Sequence, residues 1–213
     1  MFRIAPFTFN PFQENTWVVH NDRRAILVDP GCADAEEERE LEHFLAQNAL
    51  EPVRLVLTHA HADHVMGCAW AGRRYGLRPE LHRDALPYLE GAPRSAAMFG
   101  VHCEPSPPPQ GFLAEGDLVE LDGDVLRVLF VPGHAEGHIA LYCEAQGFVL
   151  AGDVLFQRSI GRTDLPGGDM ETLLASIREQ LLTLPDATVV HSGHGPDTTI
   201  GEERAHNPFL RGL

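Results

Sequence analysis

Hydrophobic residues in the first half of the chain fall into short runs and one amphipathic segment. Residues 34–50 place Leu41, Phe44 and Leu45 at helical spacing among charges, with acidic residues at the N-terminal end, which predicts an amphipathic helix. Around this segment, runs of β-forming residues predict strands at 2–9, 15–20, 25–29, 53–58 and about 80–82. Further helical segments are predicted at 64–76, 84–90 and 93–99.

The second half of the chain shows the same alternation. Apolar runs predict consecutive strands at 117–121, 124–131, 139–144 and 147–151. Asp122 and Gly123 separate the first two and favour a hairpin turn. A helix with Asp169 as its N-cap residue follows, and then a strand, a loop and a last helical turn at 201–207. Strands and helices alternate throughout, which indicates an α/β (α+β) protein with covered sheets.

The length and one unusual segment indicate how the chain is organised. A chain of 213 residues favours a single domain, 1–213, that buries a large core. The segment EPSPPPQG at 104–111 is rich in proline, which fixes φ and supplies no backbone donor, so we predict a stiff connector there. This connector divides the chain roughly in half.

The charge balance disfavours several classes of partner. With 16 basic and 31 acidic residues the formal charge is −15, so nucleic acid and anionic membranes are repelled on average. A small anionic substrate still suits a site that holds two cations, because local charge outweighs distant screened charge. The N-terminus lacks a signal-peptide pattern and the four cysteines form no close pairs, which predicts a cytoplasmic protein without disulfides. The oligomeric state stays open.

Candidate metal ligands cluster directly after the strand predicted at 53–58. The sequence THAHADH places His59, His61, Asp63 and His64 within six positions. In an irregular loop, His59 and His61 can face one ion while Asp63 and His64 face another. Imidazole and carboxylate are usual ligands of zinc and also suit iron or manganese. The loop therefore predicts one part of a two-metal site.

Three further residues of ligand type follow apolar runs in the second half. They are His134 in VPGHAEGH, Asp153 in LAGDVLF and His194 in VHSGHGP. Each time, a glycine near the end of a predicted strand makes room for the ligand. Four strand ends with ligand-type residues are much harder to obtain by chance than one cluster, so we predict a metal site.

These motifs, in this order, resemble the metallo-β-lactamase superfamily over residues 29–194. The resemblance implies a four-layer αββα sandwich of two similar halves, joined near 104–111, with a dinuclear site where the halves meet. The implied ligands are His59, His61 and His134 for metal 1, Asp63, His64 and His194 for metal 2, and Asp153 together with a hydroxide as the bridge. The resemblance also implies that Asp29 supports the ligand loop.

The two implied cations define the chemistry. They lower the pKa of a shared water, which yields a hydroxide nucleophile without a Ser or Cys, and they polarise a carbonyl. We predict a hydrolase with two divalent ions, with zinc as the first choice and iron or manganese as alternatives, and with Asp63 and Asp153 as catalytic carboxylates. The Asp at position 153 disfavours antibiotic hydrolysis, because zinc β-lactamases with a Cys at metal 2 differ there.

The segments at 159–169 and 193–210 resemble short bacterial relatives of glyoxalase II, the hydroxyacylglutathione hydrolases. This resemblance implies a thioester hydrolase acting on S-acylglutathione or a related small thioester. Arg162 is the candidate for binding a substrate carboxylate, because its guanidinium offers two parallel donors. The structural alternative is that Arg162 pairs with Asp164.

Two alternatives stay open within the same superfamily. Persulfide dioxygenases also carry Gly-Arg-Thr-Asp, here at 161–164, and use one iron held by residues that match His59, His134 and Asp153. The long glyoxalase II enzymes carry a Lys and a Tyr after the bridging Asp, and this chain does not. A hydrolase of the superfamily with another substrate is the second alternative.

Overall fold

The computed structural model describes residues 1–212 and divides them into two compact units. The first unit contains residues 1–113 and 121–124, and the second contains 114–120 and the residues from Val125 onward. The change of unit after Leu113 lies just past the predicted connector at 104–111. That the two units form one domain stays a prediction.

The first unit is built on a six-stranded sheet with the order β1-β2-β3-β4-β5-β6. Its strands are β1 Arg3–Phe9, β2 Glu14–His20, β3 Arg24–Val28, β4 Glu51–Val56, β5 Pro79–Leu81 and β6 Gly111–Phe112. Neighbours are antiparallel from β1 to β3 and parallel from β3 to β6. The strands predicted in this half are therefore confirmed, and the two-residue β6 is additional.

Three helices cover this sheet, namely α1 Ala35–Gln47, α2 Cys68–Tyr75 and α3 Leu86–Met98. Helix α1 begins where the Asp34 side chain accepts from two backbone N–H groups of the first turn, and it buries Leu41 and Leu45 in the core. Helix α2 ends at Gly76, whose φ of +71° is the left-handed conformation that glycine favours at helix ends.

The prediction of two separate helical pieces at 84–90 and 93–99 is wrong. Helix α3 continues through Pro93, because Leu89, Ala92 and Ala96 form one buried face on either side of the proline. Packing of this face outweighs the loss of one backbone hydrogen bond at the proline.

The second unit is built on a six-stranded sheet with the order β14-β13-β10-β9-β8-β7. The strands are β7 Leu118–Leu121, β8 Asp124–Phe130, β9 Ile139–Cys143, β10 Phe148–Gly152, β13 Val189–Ser192 and β14 Thr198–Thr199, and a separate ribbon is formed by β11 Leu155–Phe156 and β12 Ser159–Ile160. Its helices are α4 Met170–Ser176, which continues as a π-helical turn Ile177–Leu181, and α5 Ile200–His206. The predicted hairpin is present, since Asp122 and Gly123 both have positive φ, +52° and +95°.

Both sheets place the ends of parallel strands beside candidate ligands. In the first, β3 and β4 are parallel and are followed by Asp29 and His59. In the second, β10 and β13 are parallel and are followed by Asp153 and His194. The carboxyl ends of neighbouring parallel strands lie at one edge of a sheet, so each pair of residues is brought close by the topology. Within residues 1–212, the helices are all too short or too polar to cross a membrane.

Candidate metal centre

The first unit gathers its candidate ligands in the loop after β4. His59 and His64 are fully buried, and their ring centroids lie 4.1 Å apart. The ring of His61 packs edge-on against that of His59 at 4.8 Å. A short 3₁₀ turn, Ala62–His64, brings Asp63 beside His64, with 3.7 Å between the Asp63 Oδ2 and His64 Nε2 atoms. The loop therefore gathers three imidazoles and one carboxylate close together, and their division between two ions stays a prediction.

Asp29 holds this loop in place. Its buried carboxylate accepts from the backbone N–H of Thr58 at 2.7 Å and from the Thr58 hydroxyl at 2.5 Å. The same carboxylate lies 3.2 Å from Nδ1 of His64. A hydrogen bond at Nδ1 fixes the orientation of the ring and presents Nε2 on the side of Asp63. The support that the family resemblance implies for Asp29 is thus present as a contact.

Two further residues support the loop, and the sequence pattern did not indicate either of them. The side-chain amide of Asn10 donates to the backbone carbonyls of Gly31 and Asp63, both at 3.0 Å. Glu14 is fully buried in β2, where desolvation raises the pKa of its carboxyl, and its Oε1 lies 3.8 Å from Nδ1 of His64. Asn10 directly follows strand β1, and Glu14 begins strand β2, whose seven residues are all buried. No sequence pattern at either position separates a supporting residue from other polar residues.

The second unit arranges its candidate ligands around one carboxylate oxygen. Nε2 of His134 lies 3.6 Å from Oδ2 of Asp153, and Nε2 of His194 lies 3.4 Å from the same oxygen. His134 and Asp153 are buried, whereas His194 is partly exposed. A carboxylate between two imidazoles is a donor set that suits borderline divalent metals such as zinc and iron.

Contacts behind these residues fix their orientation. Nδ1 of His134 donates to the backbone carbonyl of Arg162 at 2.8 Å, which leaves Nε2 on the side of Asp153. The backbone N–H of Asp153 donates to Nε2 of the buried His138 at 3.1 Å. His138 therefore supports Asp153.

Arg162 contacts an acidic residue of its own loop. Its guanidinium forms two hydrogen bonds of 2.7 Å to the carboxylate of Asp164, and both side chains are largely exposed. These bonds lower the pKa of Asp164 to about 2. The pairing that was the structural alternative is therefore present, and binding of a substrate carboxylate by Arg162 stays a prediction.

Gly161 provides a test of how closely this loop packs on the candidate ligands. A Cβ at this position would lie 2.0 Å from the carbonyl oxygen of Asp153 and 3.1 Å from the ring of His134. We expect Gly161→Ala to shift the backbone and to weaken metal binding by about 10-fold, as loss of ligand support commonly does. Gly91→Ala is the control, since nothing lies within 4 Å of its Cβ. Equal metal content, measured by atomic emission, in both variants would contradict the close packing.

Comparison with known proteins establishes the family. A family model described as the metallo-beta-lactamase superfamily matches residues 9–194. The chain belongs to this superfamily. The hydroxyacylglutathione hydrolase GloC of Haemophilus influenzae is 38% identical over 210 residues, which are 97% of this chain and 96% of that protein.

Two solved structures confirm the metallo-β-lactamase fold and the α/β class. The structure of the BLEG-1 B3 metallo-beta-lactamase has a TM-score of 0.90 and 38% identity, and the match covers 99% of this chain and 100% of that one. The structure of TTHA1623 in a di-iron-bound form has a TM-score of 0.87 and 41% identity, with 97% and 100% coverage. The chain is thus a member of a metallo-hydrolase superfamily with His and Asp groups suited to metal binding. The full ligand set stays a prediction.

Proposed function

We propose that the candidate ligands of the two units form one dinuclear metal centre, and that the chain uses it to hydrolyse small thioesters such as S-acylglutathione. The proposed ligands are His59, His61, Asp63, His64, His134, Asp153 and His194. The observation that carries the proposal is that each unit holds one proposed ligand in a fixed orientation, His64 through Asp29 in the first and His134 through the Arg162 carbonyl in the second. Side chains held in place by supporting hydrogen bonds are what a metal-binding site requires.

The donor set also supports the choice of metal. Five imidazoles and two carboxylates, without a thiolate, are compatible with zinc and with iron. When bound, two such cations activate a shared water and polarise the substrate carbonyl. The chain contributes the orientation of the ligand side chains and, through Asp63 and Asp153, the negative charge that offsets the cations. We propose zinc, and the di-iron form of TTHA1623 supports iron as the second choice.

The thioester substrate rests on the similarity to the hydroxyacylglutathione hydrolase GloC, which extends over 97% of this chain. The experiment below also tests two other reactions. The Gly-Arg-Thr-Asp segment at 161–164 packs on His134, and this segment favours the dioxygenase as the second candidate. Similarity to a B3 metallo-beta-lactamase makes β-lactam hydrolysis the third reaction to assay.

The experiment compares three substrates on protein purified without oxygen and loaded with zinc or with iron. We expect thioester cleavage of S-lactoylglutathione, followed at the thioester absorbance, and no such cleavage after removal of the metal. Oxygen uptake with glutathione persulfide, in the absence of thioester cleavage, would establish the dioxygenase instead. Hydrolysis of a chromogenic cephalosporin alone would establish a β-lactamase.

Substitution of Arg162 tests its predicted contact with substrate. If its guanidinium binds a substrate carboxylate, we expect Arg162→Ala to raise the KM for S-lactoylglutathione about 10-fold and to change kcat little, as loss of one charged hydrogen bond does. Asp164→Asn weakens the hold on the guanidinium and is expected to lower KM. An unchanged KM in both variants would show that Arg162 only pairs with Asp164.

A further inference from the structure

Helix α5 carries a buried carboxylate that the proposed chemistry does not use. Glu203 is fully buried, and its Oε1 accepts from the Thr198 hydroxyl at 2.6 Å. Its Oε2 accepts from the backbone N–H of Arg158 and from the side-chain amide of Asn207, both at 2.8 Å. A buried carboxylate with three donors is well satisfied, so it is a firm point of attachment rather than a strained group.

Two of these donors connect Glu203 to the β11–β12 ribbon. Arg158 lies in that turn with a left-handed φ of +59°, and Asn207 also donates to the carbonyl of Ser159 at 2.9 Å. Each strand of the ribbon has only two residues, which is too short to define a position without outside contacts. Glu203 and Asn207 therefore fix the turn end of the ribbon to helix α5.

The other end of the ribbon reaches the candidate ligands. Directly after β12, Gly161 packs so closely on Asp153 that only a glycine fits, and the carbonyl of Arg162 accepts from Nδ1 of His134. The backbone N–H of Gly161 donates to the carbonyl of Val154, which keeps the ends of the ribbon together. A displacement of the ribbon would thus move the acceptor that sets the orientation of the His134 ring.

We propose that Glu203 is a positioning residue for the metal centre, acting through the β11–β12 ribbon on His134 and Asp153. This role rests on the proposed function only in that His134 and Asp153 must hold a metal. It gives helix α5 a part in metal binding although none of its residues is a proposed ligand. The expected loss on removal of Glu203 is about 10-fold in metal affinity, the lower end of the range for residues that orient ligands.

Three variants separate this role from simple anchoring of the helix. Glu203→Ala removes all three acceptor contacts and is expected to weaken metal binding. Glu203→Gln keeps one carbonyl oxygen for Arg158 and Asn207, while the Thr198 hydroxyl can turn to accept from the amide, so we expect it to restore affinity to within about 3-fold. Glu202→Ala is the control, because Glu202 is the neighbouring carboxylate on the same helix and is partly exposed, and its contacts with the Arg158 guanidinium and with His206 lie at the surface.

The readouts are the dissociation constant for Co²⁺, from competition with a chelator, and the visible spectrum of the cobalt protein. They are taken at a temperature where circular dichroism shows each variant to be folded. We expect weaker binding and altered cobalt bands in Glu203→Ala, and values close to the wild type in the Glu203→Gln and Glu202→Ala proteins. A Glu203→Ala protein with a lower Tm but unchanged cobalt affinity and bands would overturn the proposal.

Asn207→Ser serves if Glu203→Ala does not fold. It removes the contacts of the amide with Ser159 and Glu203 but keeps a hydroxyl that can accept from the backbone N–H of Phe209. We expect cobalt affinity to fall as in Glu203→Ala, but by less. Unchanged cobalt binding in Asn207→Ser would again overturn the proposal. If the wild-type protein binds cobalt but does not cleave thioesters, the proposed substrate is wrong and the role of Glu203 is unaffected. If the wild-type protein binds no cobalt, both proposals are wrong.

Discussion

Replacement of Asp153 by alanine is expected to remove most of the bound metal and to abolish hydrolysis. One oxygen of this carboxylate lies 3.6 Å from His134 Nε2 and 3.4 Å from His194 Nε2, so it is the central donor of its group. Loss of a residue that merely orients a ligand costs about 10-fold to 100-fold in affinity or activity, and loss of a central donor should exceed that range. His59→Ala is expected to have a similar effect, because His59 packs against two other candidate ligands.

The measurement is the metal content per chain, by atomic emission, of proteins purified without oxygen and dialysed together. We expect close to two ions in the wild type and fewer than one in each variant. Asp197→Ala is the matched control, since Asp197 also contacts a histidine, His191, at 3.0 Å but is no proposed ligand. A well-folded wild type without metal, or an Asp153→Ala protein that keeps two ions, would contradict the dinuclear centre.

The main elements were predictable because their patterns are local. Strands β3, β9 and β10 are mostly short apolar runs, and helix α1 shows helical spacing of its apolar residues with an N-cap residue before it. The ligand loop was predictable for a related reason, since residue type and position at a strand end are both visible in the sequence. Two-residue strands such as β6, β11 and β14 have no pattern of their own, because contacts distant in sequence create them.

The residues that support the ligands were not predictable, because their partners are far along the chain. Asn10 donates to the carbonyl of a residue 53 positions later, and Glu203 accepts from a residue 45 positions earlier. A polar residue that supports the ligands looks the same in the sequence as a polar residue that faces solvent. Arg162 is the opposite case. Its partner Asp164 is only two residues away, so the sequence indicates this pairing as one of two alternatives.

Substitution of Asp29 is expected to have the largest effect on stability. Asp29→Ala removes an acceptor shared by the backbone N–H and hydroxyl of Thr58 and by His64, all of them buried. Removal of one partner from such a network costs about 3–5 kcal/mol in the free energy of unfolding. The φ of Asp29 is +49°, a conformation that aspartate tolerates better than alanine, which adds to the loss.

Asp29→Asn separates these contributions. Asparagine keeps the left-handed conformation and one acceptor oxygen, but its amide faces a donor, so we expect a smaller loss of about 1–3 kcal/mol. Urea denaturation of the metal-free proteins measures both values, and Asp22→Ala is the control because Asp22 pairs with Arg3 on the surface. Because Asp29 also orients His64, metal affinity should fall in both variants by about 10-fold to 100-fold. If the metal-free Asp29→Ala protein were as stable as the control, the ligand loop would not depend on this carboxylate.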